Sequence, residues 1–392
     1  MKHETVMSLL TLPPLSLYVH IPWCVRKCPY CDFNSHERSE IPEQAYLAAL
    51  LEDFQGDLDY VQGRAIQSIF FGGGTPSLMS GEFYKNLLNR LREQLTFAED
   101  IEITLEANPG TVEQGRFEQY RAAGINRLSI GVQSFNPAHL QALGRIHSAD
   151  EAIRAATAAR NAGFDNFNLD LMHALPGQGR AEALDDLAQA ISLKPTHLSW
   201  YELTIEPNTA FFSAPPEQPD GDTMADIEDA GFALLAGEGF ARYEISAFAR
   251  PGREARHNLN YWQFGDYLAL GAGAHGKITF PAEDRILRYQ KTRLPEHYLA
   301  GQGSRSRQPL ELALGERPLE YFLNTLRLVA GAPQALFSAR TGVPLAQVQT
   351  ALAKLESDHL LTMEGRNIAC SPLGLRHLNH VLARLEDSLG TA

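Results

Sequence analysis

Positive charge is scarce in this sequence. Lysine and arginine number 34 against 47 aspartate and glutamate, a net charge of −13. Phosphate binding draws on clustered Lys and Arg, so this balance argues against nucleic acid as a partner. No run of 18 apolar residues occurs, so no transmembrane segment is expected. The opening stretch, MKHETVMSLLTLPPLSLYV, lacks a basic leader and a small-residue cleavage site, and Pro13-Pro14 interrupts it. It reads as the lead-in to a strand rather than a signal peptide, and a cytoplasmic location is expected. Cysteine is rarer still: four in 392 residues, three of them within eight positions. A disulfide framework would spread its cysteines along a short secreted chain, so this cluster points to metal ligation in a reducing compartment. Cys370 stands alone and is expected to be a small buried hydrophobe. No internal repeat exists beyond a strand–helix unit.

What is present is alternation. Short apolar strands at Leu15–His20, Ile66–Phe71, Ile101–Ala107, Arg127–Val132, Phe167–Met172 and Leu198–Leu203 are separated by longer amphipathic stretches. Leu184, Leu187, Ala188 and Ile191 follow the spacing of one buried helix face, as do Tyr46, Ala49, Leu50 and Phe54. Such alternation builds a parallel sheet, either open and doubly wound or closing as a barrel. All six strands end in polar or Gly-rich sequence, and a barrel gathers such ends around one site, whereas an open sheet gathers only those at its switch point. The expected fold is therefore α/β, a partial (β/α)6 TIM-like barrel over residues 1–250. Residues 205–222 read as a loop, and a further strand is expected at Ala241–Phe248. Residues 251–309 are expected to be an irregular connecting segment holding HNLNYW, with a linker at 301–309. Residues 310–392 change character: helices at 316–330, 333–341 and 345–357, a two-stranded unit tipped by Gly365-Arg366-Asn367, and a helix at 372–388 suggest a winged-helix-like module. Over residues 316–392 seven Lys plus Arg balance seven Asp plus Glu, so the module has no basic footprint for DNA.

The cysteines form the loop Cys24-Val25-Arg26-Lys27-Cys28-Pro29-Tyr30-Cys31. Three thiolates at C-x3-C-x2-C suit three irons of a [4Fe–4S] cubane and leave the fourth iron open for a ligand. The competing reading is zinc with His20 or His36 as fourth ligand, but zinc favours C-x2-C pairs. Gly72-Gly73-Gly74-Thr75-Pro76 follows the second strand, and glycines there let a charged ligand approach the backbone.

The cysteine spacing after the first strand resembles the radical S-adenosylmethionine (SAM) superfamily. YVHIPWC, CPYC and GGGTP narrow the resemblance to the oxygen-independent coproporphyrinogen III oxidase (HemN) family and its heme chaperone branch, HemW. That resemblance implies a [4Fe–4S] cluster on Cys24, Cys28 and Cys31. It also implies SAM contacts from Tyr18, Gly73 and Glu106, with a second SAM position at Gly74, Thr75, Gln133, Arg145 and Asp170. The oxidase carries a further cysteine where this chain has Phe33, and after the sixth strand Tyr201-Glu202-Leu203-Thr204 resembles the chaperone branch. His257-Asn258-Leu259-Asn260-Tyr261-Trp262 matches HNxxYW, a pattern associated with heme in that branch. Histidine can be an axial heme ligand and aromatics can pack on a porphyrin face, although the same residues could be core packing. The chaperone reading implies heme as a third cofactor, a heme-accepting protein, a membrane protein being one type of acceptor, and an electron donor for the cluster. Two alternatives stay open: oxidative decarboxylation of coproporphyrinogen III, and radical chemistry on another substrate.

Overall fold

The computed structural model describes residues 8–111, 114–301, 305–306, 308–363 and 365–390. Six parallel strands follow the expected order: β1 (Leu15–Ile21), β2 (Ile66–Gly73), β3 (Phe97–Ala107), β4 (Arg127–Gln133), β5 (Phe167–His173) and β6 (His197–Glu202). Each pairs with the next in parallel. Between them run α1 (Glu43–Gly56), α2 (Gly81–Arg92), α3 (Gln114–Ala123), α4 (Pro137–Ala142), α5 (Ala149–Asn161) and α6 (Arg180–Ser192).

The strands are buried on both faces, yet they alternate in polarity. Leu17, Val19, Ile69, Phe71, Ile103, Leu105, Leu128 and Ile130 belong to the apolar core. The intervening residues Ser16, Ser68, Thr104, Ser129 and Asn168 are buried and polar. Period-two alternation puts these on the other face, where Ser16 pairs with Ser68 at 2.8 Å and Asn168 with Ser129 at 2.8 Å, while Thr104 Oγ1 is buried without a protein partner. A parallel sheet with a polar second face has a lumen that can receive a polar ligand. Tyr46, Ala49, Leu50 and Phe54 of α1 are buried as expected. In α6 the face is turned: Ala183, Asp186, Leu187 and Ala190 are buried, whereas Ala188 is exposed. The cause is polar, since Asp186 accepts from Ser134 Oγ at 2.6 Å and from the Phe135 amide at 2.7 Å.

The sheet continues past both ends of the six. The stretch expected as one strand at Ala241–Phe248 is a hairpin of β7 (Ala241–Arg242) and β8 (Ala247–Ala249), with β8 antiparallel to β6. The segment expected to be irregular is largely regular. It holds a helix at Arg256–Trp262 and the strands β9 (Asp266–Leu270), β10 (His275–Phe280) and β11 (Arg285–Gln290). β9 lies parallel to β1, and β10, β11 and β12 (Leu310–Glu311) follow antiparallel. Among the described residues the sheet therefore has twelve strands and two free ends rather than a closed ring.

Buried charge locks this extension in place. The Asp266 carboxylate, fully buried, accepts from Lys277 Nζ, Thr279 Oγ1, the Thr279 amide and Arg64. Lys291 Nζ reaches Asp53 on α1 at 2.6 Å and Asp57, which caps the end of that helix, at 2.8 Å.

The C-terminal part has helices at Arg317–Thr325, Gln334–Thr341, Gln349–Ser357 and Leu378–Leu389, with a small three-stranded sheet. The helix expected over 372–388 is broken at His377. Cys370 is buried there, in a core that also takes in Leu10, Phe264 and Ile286. Of the expected 301–309 linker, residues 302–304 and 307 lie outside the described residues. Among the described residues no helix is long and apolar enough to cross a membrane.

Candidate functional site

The cysteine loop leaves β1 over the C-terminal mouth of the sheet. Trp23–Cys24 pairs with His36–Glu37, and Trp23 is buried edge-on against Tyr46 at 4.7 Å. Tyr46 donates to the His20 carbonyl at 2.6 Å, so α1 anchors the start of the loop. Cys24, Cys28 and Cys31 are free thiols and line one cavity of about 300 Å³. Each sulfur has a polar neighbour: Thr75 Oγ1 at 3.3 Å from Cys24, Arg145 at 3.6 Å from Cys28 and Ser35 Oγ at 3.9 Å from Cys31. Burial pushes the Cys24 and Cys31 thiols up. Among the described residues no three His, Cys, Asp or Glu side chains converge as a single ion would require. Three thiols around a shared cavity instead match the donor set of a multi-iron cluster.

Gly73, Gly74, Thr75, Glu106, Gln133, Arg145 and Asp170 line the same cavity. Gly73 has φ +111° and donates its amide to Glu106 Oε2 at 3.2 Å. Gly74 and Thr75 donate to the Ile21 and Trp23 carbonyls at 2.7 and 2.8 Å, which ties the glycine turn to the cysteine loop. Gln133, also at positive φ, accepts from Tyr201 OH at 2.7 Å. Arg145 donates to the Gly131 carbonyl at 2.7 Å, and its Nε is buried without a protein partner. Burial, with Asp170 nearby, pushes the Glu106 carboxyl up to about 8 against the pull of the Gly73 amide. Asp170 is also raised by burial, and Ser129, Asn168 and Ser199 oppose the shift. An unpartnered guanidinium nitrogen and two half-buried carboxyls on one cavity suit a zwitterionic ligand carrying both charges.

Tyr18 does not line this cavity. It lines a second one, of about 640 Å³, which shares Phe33, Gly73 and Glu106 with the first. His20 Nε2 donates to the Asn34 carbonyl, leaving Nδ1 to accept from Tyr18 OH at 3.0 Å. His257, Asn258, Tyr261 and Trp262 all line the second cavity. They sit on the helix Arg256–Trp262, not on an irregular loop. Spacings of one, four and five residues keep all four on one side of a helix. Glu102 Oε1 accepts the Arg256 amide at 3.0 Å and the His257 amide at 3.4 Å. His257, 5% exposed, stacks on Phe70 at 4.8 Å and 21°. Burial, with Arg127 nearby, lowers its pKa to about 3, so the imidazole is neutral at pH 7. Its Nδ1 and the Trp262 indole N–H are buried without protein partners. Tyr261 stacks on Tyr267 at 4.2 Å, and Arg327 lies over Trp262 at 4.4 Å.

Sequence reasoning missed a buried chain that runs between the two cavities. Ser129 and Asn168 donate to Asp170, His197 Nδ1 donates to Asn168 Oδ1 at 2.7 Å, and Tyr243 OH donates to His197 Nε2 at 2.9 Å. Tyr243 OH in turn accepts from Asn258 at 3.5 Å and from the Ala255 amide at 3.4 Å. The signal was the polar phase of the strand alternation, which reads as ordinary polarity until the sheet curves.

Residues 18–190 match the radical SAM superfamily model, and residues 312–377 match the HemN C-terminal domain model. The chain is 54% identical over 336 residues to the heme chaperone HemW of Escherichia coli K12, covering 86% of this chain and 88% of that protein. It is likewise 54% identical over 343 residues to the heme chaperone HemW of Haemophilus influenzae, covering 86% and 89%. A mitochondrial radical S-adenosyl methionine domain-containing protein 1 from Bos taurus is 35% identical over 390 residues, covering 96% and 88%. Among solved structures, coproporphyrinogen III oxidase (HemN) from Escherichia coli superposes with a TM-score of 0.79 at 24% identity, covering 95% of this chain and 90% of that one. That likeness establishes the fold alone. With the cysteine loop, the glycine turn and the HNxxYW helix on one partial barrel, this chain belongs to the HemW family of radical SAM proteins.

Proposed function

We propose that the protein is a heme chaperone, binding heme in the second cavity beside a cluster-and-SAM site in the first and passing heme to an acceptor protein. The observation that carries the reading is the adjacency of the two cavities, one lined by three free thiols and the other by all four HNxxYW residues. The name borne by relatives at 54% identity supports it. Cys24, Cys28 and Cys31 hold the cluster; Gly73, Gly74, Thr75, Glu106, Gln133, Arg145 and Asp170 receive SAM, with Tyr18 on the wall behind Glu106. When bound, the cluster and SAM supply one-electron chemistry. His257 would hold the heme iron: its imidazole is neutral and stacked, and Nδ1 lacks a protein partner. Tyr261 and Trp262 give the macrocycle an apolar surface, and Asn258 orients the helix through Tyr243.

Purified protein should show a Soret band on heme addition, and His257→Ala should weaken or shift it while sparing iron and sulfide content. Cys24→Ala, Cys28→Ala or Cys31→Ala should abolish cluster reconstitution, and Cys370→Ala should not. An intact protein that binds no heme and decarboxylates coproporphyrinogen III anaerobically would replace this reading with an oxidase.

A further inference from the structure

The second cavity is not uniform. Phe70 and Tyr261 pack against His257, with Trp262 next along the same helix, whereas Asn34, His275, Gln290 and Arg293 are the polar part of the lining. Asn34 fixes that part, donating to the Ala272 carbonyl at 2.9 Å and the Arg293 carbonyl at 2.8 Å. His275 and Gln290 face each other across β10 and β11. Arg293 is the only lining residue with a permanent positive charge, and its exposed guanidinium has no ion pair among the described residues. The opposing charge in this part of the lining is Asp32, on the exposed cysteine loop.

A cavity aromatic at one end and cationic at the other suits a flat apolar ligand with carboxylates along one edge. We infer that Arg293 receives a propionate of the tetrapyrrole, with Gln290 beside it, and so fixes which edge of the macrocycle faces the cysteine loop. Guanidinium and carboxylate pair through two parallel hydrogen bonds. The inference rests on the heme reading above, and it divides recognition in two: His257 reads the iron and Arg293 reads the carboxylate.

The test is a set of titrations with heme, heme dimethyl ester and metal-free protoporphyrin, followed by absorbance and tryptophan fluorescence. Arg293→Gln should bind heme and protoporphyrin about tenfold more weakly, as expected for losing a charge-assisted bond at a partly exposed site, and bind the diester as the unaltered protein does. His257→Ala should show the complementary pattern, weakening heme and diester but not protoporphyrin. Arg293 is exposed, so the variant should keep its far-UV spectrum and its iron content. If Arg293→Gln weakens all three ligands alike, or none, the propionate assignment is wrong and heme binding stands. If the unaltered protein binds none of them, the heme reading itself fails and takes this one with it.

Discussion

Gly74→Ala is the sharpest probe of how the cysteine loop is held. A Cβ at Gly74 would sit 2.6 Å from the Trp23 carbonyl oxygen and 2.9 Å from the Ile21 carbonyl oxygen. Both are backbone atoms, so no side chain can swing clear. To reach ordinary contact the turn must withdraw by roughly 0.8 Å, an overpacking cost of about 1–3 kcal/mol. The same movement stretches the Gly74 and Thr75 amide bonds to Ile21 and Trp23, each contributing roughly 1 kcal/mol. Together these give about 3–5 kcal/mol if both bonds are lost, and the strain falls on the peptide next to Cys24. The variant should therefore lose both stability and cluster occupancy. Gly115→Ala is the control, because nothing lies within 4 Å of its Cβ and α3 is an ordinary helix; it should leave both unchanged or slightly raise stability. The measurements are urea unfolding of the cluster-free protein and iron and sulfide per chain after anaerobic reconstitution. A Gly74→Ala protein with a normal midpoint and a full cluster would refute the close-approach argument.

Two further outcomes test the surrounding fold. His173 is buried against Trp200 at 4.3 Å, and burial lowers its pKa to about 4; the unfolded chain takes up this proton near pH 6.5 and the folded chain only near 4, so stability present above 6.5 is lost as the pH falls. His173→Phe removes that linkage, and its stability relative to wild type should improve by about 2 kcal/mol between pH 7 and pH 5 in paired urea titrations; a constant difference would mean the ring is not neutral in the fold. Asp266→Asn strands Lys277 and Arg64 beside a neutral group and should cost about 3–5 kcal/mol, with the double variant Asp266→Asn/Lys277→Met recovering part of it; a single-variant loss below about 1 kcal/mol would show that β9 is held by other contacts.

The sequence by itself determined the six barrel strands, because their apolar phase and Gly- or Pro-bearing ends are local signals that burial does not alter. It also placed three thiols within eight residues, a donor set with few uses. The segment after residue 250 was not legible in the same way. HNLNYW mixes polar and aromatic residues without an apolar period, yet it forms a helix because Glu102, far off in sequence, accepts the Arg256 and His257 amides. The stretch from β9 to the end of β11 is interrupted by glycine, and buried Asp266 and Lys277 within it and Lys291 just after it read as surface residues until their partners are known. The separation of Tyr18 from the cysteine cavity, and the wall of Gly73, Glu106 and Phe33 shared by the two cavities, were likewise decided only in three dimensions. Motifs record which groups a chain has. Which cavity each group faces depends on strand register and sheet curvature, and these are set by contacts between residues far apart in sequence, such as Lys291 with Asp53, 238 positions away.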